Sequence, residues 1–160
     1  MTRAAEVLRF TPDDTDELLA AMDALADTRD GWVNLQPVPD EDEAAGAPVR
    51  AGVFNLFSGR GPRLPVGTWV PAAQGGRRPD PDSLGLQHAG GPKAARRLRE
   101  VGVEPPDGAT VLSDHPRRGL VLAVDPGTPP AELLRWLLAA AAALSPDPLP
   151  ATWVAVVHHR

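Results

Sequence analysis

Cysteine is absent from the 160 residues, and so are isoleucine and tyrosine. The missing cysteine excludes disulfides, thiolate nucleophiles, Cys-ligated zinc and iron–sulfur clusters. Lysine is nearly missing as well: Lys93 stands alone against fifteen arginines. Proline and glycine are abundant instead, with 19 and 15 residues. The skew is the one expected of a GC-rich bacterial genome, and it lowers the meaning of any single Arg, Pro or Gly. No stretch nears the roughly 20 apolar residues of a membrane span. Met1 to Phe10 carries Arg3 and Arg9 but no apolar run of signal-peptide length. A cytoplasmic location with no membrane contact is the expectation.

What is present suits a folded chain. The apolar fraction is 42% and the charged fraction 23%, near the averages of globular domains. The length suits one domain over 1–160, with mobile loops expected near 40–50 and 74–82. Charge is unevenly spread. Residues 1–50 hold twelve acids and four arginines, net −8; residues 51–118 hold ten basic and six acidic side chains, net +4. The total of −5 argues against a DNA-binding domain, which carries a basic surplus.

The hydrophobic pattern places the elements. A helix is expected over about 12–29, with Thr11 as cap, Pro12 in the first turn, Asp14 completing a capping box, and Leu18, Met22 and Leu25 as its apolar stripe. Gly31 would end it. Strands are expected at 32–36, 53–57, 68–70 and 84–89. A second helix runs from about Pro92 to Val101, closed by Gly102. Strands at 110–113 and 119–124 should form a hairpin. Gly119–Val124 and Thr152–Val157 are continuously apolar, the pattern of strands buried on both faces. The helix from Pro129 to Leu144 between them, capped by Thr128, suggests a C-terminal βαβ unit. The fold class is α+β: a single mixed sheet of about five to seven strands covered by three helices.

Linear catalytic signatures are missing. There is no G-x-S-x-G elbow, no phosphate-binding G-x-x-x-x-G-K-[ST] loop, no H-E-x-x-H and no strand-linked G-x-G-x-x-G. Four scattered histidines without cysteine give no metal-ligand spacing, so neither a metal nor a cofactor is expected. The best-placed ligand candidate is the strand-to-helix junction Gln87–Lys93. His88 could donate or accept a proton there. Gly90 and Gly91 would let an anion approach the helix start, and Lys93, Arg96 and Arg97 would add charge. His115 follows Asp114, but neighbours on an extended chain point to opposite faces, so the two form no catalytic pair unless a turn re-aims one.

The helix at 130–144 is apolar nearly all round. That suits either a buried spine or a surface for a partner, a twin helix included. Two function classes follow. One is a non-catalytic domain that binds a protein partner or its own copy, a homodimer being expected. The other is a small enzyme or sensor that takes an anionic metabolite near residues 88–97.

Overall fold

The computed structural model describes residues 5–39 and 63–160. The loop expected at 40–50 and the strand expected at 53–57 lie outside the described residues. Among the described residues seven strands form one sheet: β1 (Glu6–Phe10), β2 (Gly31–Pro37), β3 (Val66–Val70), β4 (Asp82–Gln87), β5 (Thr110–His115), β6 (Gly119–Val124) and β7 (Trp153–His159). Three described helices accompany them: α1 (Asp16–Thr28), α2 (Ala94–Glu100) and α3 (Pro130–Leu144). The strand order is β1-β7-β2-β3-β4-β6-β5. The α+β class, the single sheet and the three helices match the sequence reading.

Two expectations about the sheet need correction. A mixed sheet was expected, yet every ladder is antiparallel. The C-terminal βαβ unit is also changed. β6 and β7 run in the same direction on either side of α3, but β2, β3 and β4 lie between them. The crossover therefore spans half the sheet, and neither strand gains a parallel neighbour.

Strand alternation decides which face is buried. Leu8, Leu35, Leu86 and Leu120 fall in one cross-strand row, and Val157, Val33, Trp69, Leu84 and Leu122 in the next. All of these are buried. The helices lie on this face: a Cβ added to Gly67 would touch Leu137 of α3, and one added to Gly31 would meet Leu25 of α1. α3 is the spine of the helix layer, in contact with α1, α2, β3 and β4. It buries Leu133, Leu134, Trp136, Leu137, Ala140, Ala141 and Leu144.

The two continuously apolar segments are not covered on both faces as expected. β7 alternates buried and half-buried, and β6 does so from Leu120 onward. The reason is that all three helices went to one side.

Local chemistry moved some boundaries. Thr11 and Pro12 do not start α1. The Asp14 N–H donates to the Thr11 carbonyl at 3.0 Å, so these residues turn the chain after β1, with Pro12 where a β-turn favours it. The left-handed residue that ends α1 is Arg29 (φ 54°), not Gly31. α2 ends as anticipated. Gly102 (φ 80°) donates its N–H to Arg99 O and Val103 donates to Leu98 O, the paired bonds of a glycine-terminated helix.

Candidate functional site

The junction between β4 and α2 gathers part of the expected constellation. His88 is buried at 1% exposure. Its Nδ1 accepts the Gly90 N–H at 3.1 Å, which puts the ring proton on Nε2. That Nε2 is buried without a partner. Burial holds the imidazole below its ordinary value of 6.5; Asp114 opposes the shift and Arg97 adds to it. Gly90 is required here, because a Cβ would come within 2.9 Å of the Leu144 carbonyl oxygen and 3.2 Å of the His88 ring. Arg97 donates to the Gly90 carbonyl. Lys93, in the left-handed region at φ 60°, leads into α2. Its side chain is exposed, and Arg96 pairs with Glu100 on the surface at 2.9 Å.

The donors of that helix start are already engaged. The Ala94 N–H donates to Asp114 Oδ1 at 3.1 Å and the Ala95 N–H to Oδ2 at 3.0 Å. A carboxylate of the chain itself occupies the place where the sequence suggests an outside anion. Asp114 reaches it because it lies opposite Leu120, on the helix-bearing face. His115 faces elsewhere. Its Nδ1 accepts the Arg117 and Arg118 N–H groups at 3.1 and 3.3 Å, holding the β5–β6 turn. Among the described residues, none of His88, Gly90, Gly91, Lys93, Arg96, Arg97 or His115 lines the cleft beside the 72–80 loop or the one between α2 and β5–β6. Among the described residues no three His, Asp or Glu side chains group as metal ligands.

Sequence reasoning missed two polar clusters. Asp82, expected in an exposed loop, opens β4 at 2% exposure. Its Oδ1 accepts both terminal nitrogens of Arg29 (2.9 and 3.1 Å) and the Ala72 N–H (3.0 Å), while Oδ2 accepts the Trp69 indole N–H at 3.2 Å. Arg29 also donates to the Pro126 carbonyl. Both Asp82 oxygens and both terminal nitrogens of Arg29 are matched, which marks a structural hub rather than a reactive carboxylate.

The second cluster sits on the face that carries none of the described helices. Thr68 Oγ1 donates to Asn34 Oδ1 at 3.0 Å, and Asn34 Nδ2 lies 3.2 Å from His158 Nε2. The Asn34 amide therefore donates to the imidazole, whose proton sits on Nδ1. His158 stacks on Trp32 with centroids 4.5 Å apart, and the Arg160 guanidinium lies 5.9 Å from that ring. Around this chain of contacts stand Val66, Val70, Val121, Val154 and Val156, all half-buried, and Val7, which is 62% exposed. Nothing in the linear spacing of Asn34, Thr68 and His158 announces the cluster. Only the register of β2 with β3 and β7 brings them level.

One cleft among the described residues lies beside Arg29 and the 72–80 loop, wide open, with a volume of about 250 Å³. Another, apolar and only about 10 Å³, lies between α2, the 103–105 segment and β5–β6, with Trp136 in its wall. Comparison with known proteins adds no relative: no family model, no curated protein and no solved structure matches this chain.

Proposed function

We propose that this chain is a non-catalytic domain that associates with a second copy of itself through the helix-free face of its sheet. One observation carries the reading. β6 and β7 have the composition of strands covered on both sides, and among the described residues only one side is covered. Val121, Val154 and Val156 are left half-buried on the helix-free face, with Trp32, Val66 and Val70 beside them and Arg9, Gln36 and Ser83 as polar neighbours. A second sheet packed face to face at about 10 Å would complete their burial. The polar groups at the centre of the face support the same reading. Asn34, Thr68 and His158 hydrogen-bond to one another, so removing water from them leaves few bonds unmade.

The rival reading, an enzyme or sensor for an anionic metabolite near residues 88–97, finds less support. His88 is sealed from solvent, and the α2 start is capped by Asp114. Light scattering on the wild type and on Val156→Asp is the test. A mass near twice 16.9 kDa for the wild type, reduced in the variant, supports the pair. A wild-type mass of 16.9 kDa at micromolar concentration refutes it.

A further inference from the structure

Among the described residues β5 ends the sheet, and no described strand lies on the outer side of its backbone. Natural sheets protect such edges with Lys, Pro or inward-pointing charge, yet the middle of this one carries Val111 and Leu112, 37% and 63% exposed. Among the described residues four large apolar side chains are exposed. Three of them belong to this corner: Val111 and Leu112 on β5, and Val101 at 66% just after α2. Beneath them opens the small apolar cleft, walled by Leu98, Val103, Pro105, Val111, Leu122 and Trp136. Trp136 is 5% exposed, and its indole N–H is buried without an acceptor. An unpaired buried donor calls for an oxygen that the described residues do not supply.

The surroundings are basic. Lys93, Arg96, Arg97 and Arg99 lie on or beside α2, and Arg117 and Arg118 lie on the turn that follows β5; all six are exposed. Four acids stand among them: Glu100 pairs with Arg96, Asp114 caps α2, and Glu104 and Asp107 are exposed between α2 and β5, which leaves a basic surplus of two charges.

We propose that the free edge of β5 and the exposed apolar corner beside it bind an extended acidic segment of another protein. The segment adds as a further strand along Thr110–His115. Its apolar side chains lie over Val101, Val111 and Leu112, and its acidic flanks meet the arginines. Strand addition supplies backbone hydrogen bonds, and the apolar corner and the charge supply selectivity. Charge also selects among occupants. Antiparallel pairing of β5 with β5 of a second copy would bring two basic α2 helices together, which disfavours self-association at this edge. The proposal uses a different surface from the sheet face, so the two stand or fall separately.

The test is binding of the full chain to arrayed hexapeptides with alternating Leu, Val or Phe positions and acidic, neutral or basic flanks, read by ¹⁵N NMR. Acid-flanked peptides should bind, move the Trp136 indole N–H resonance and protect β5 amides from exchange. Leu112→Lys, at an exposed position, should weaken binding roughly tenfold by blocking the edge. Arg99→Glu should do the same through charge and should flatten the salt dependence. Unchanged thermal melts would establish that both variants fold. Any of three results overturns the proposal: no peptide binding, binding indifferent to flank charge, or β5 amide shifts that follow dilution of the chain alone, which would make a second copy the occupant.

Discussion

At the scale of the residue, Asp82 and His88 show opposite ways of burying polarity. Asp82 meets four donors from Arg29, Ala72 and Trp69, and its loss would strand a guanidinium that is only 15% exposed. Asp82→Ala is expected to cost about 3 kcal/mol of stability, the scale for breaking a buried pair from one side, measured by urea unfolding. A cost within ~0.5 kcal/mol, the range for surface changes, would mean that Arg29 finds water instead. His88 has one acceptor satisfied and one donor orphaned. Its folded pKa is lowered from 6.5, chiefly by burial, so the unfolded chain binds the proton more readily. The contribution is complete above 6.5 and is lost as pH falls below it toward the folded value. Unfolding curves from about pH 8 to about pH 5 should therefore show wild-type stability falling faster below 6.5 than that of His88→Gln. Parallel slopes for the two proteins would remove His88 as the cause. The sequence marks His88 by its place at a strand end before two glycines. It gives no sign of Asp82, whose partners lie 10, 13 and 53 residues away and meet only through tertiary packing.

At the scale of the element, α2 shows how a seven-residue helix is held. Helices this short are marginal alone. Asp114 accepts two of the N–H groups at its start, and Gly102 closes its end. Asp114→Ala is expected to cost about 1–2 kcal/mol, the range for a lost helix cap, and to speed amide exchange at Ala94 and Ala95. Unchanged exchange there would show that the cap is dispensable. The closing glycine was legible in the sequence because a left-handed residue after a helix is a local requirement. The Asp114 cap was not, since it arrives from a strand about twenty residues on. β1 shows a related blind spot. Glu6–Phe10 alternates, but an edge strand with exposed Glu6, Val7 and Arg9 carries too little apolar pattern to stand out. The α1 start was misplaced because Thr11-Pro12-Asp13-Asp14 serves equally as a capping box and as a turn, and the preceding strand decides for the turn. The parallel crossover was inferred from apolar continuity in Gly119–Val124 and Thr152–Val157. That continuity reports how much burial a strand asks for, not which strand lies beside it.

At the scale of the whole molecule, the sheet is lopsided. Three helices crowd one face while the other shows valines around the Asn34–Thr68–His158 chain. Seven strands about 4.8 Å apart make a face roughly 29 Å wide. With strands about 17–20 Å long, its flat area is on the order of 500 Å². A stable pair buries about 800 Å² of accessible surface on each partner, more than this flat area, so association would have to use the whole face. Substitutions at either side of it should then act alike. Val121→Asp and Val156→Asp are each expected to dissociate the pair while leaving the monomer folded, because both side chains are half-buried on the helix-free side. Circular dichroism and light scattering together would check this, and an effect from only one of them would point to a smaller contact. Class, single sheet and helix number were readable from periodicity. The open face was not, because a strand's composition is silent about which side a helix will choose.

The central claim is that the helix-free face is covered by a second copy. Sedimentation equilibrium over a dilution series tests it most directly. A wild-type mass that approaches twice 16.9 kDa and falls with dilution, together with a Val156→Asp variant that stays at 16.9 kDa, is the expected result. A wild type fixed at 16.9 kDa throughout, or a Val156→Asp variant that pairs as tightly as the wild type, would contradict it.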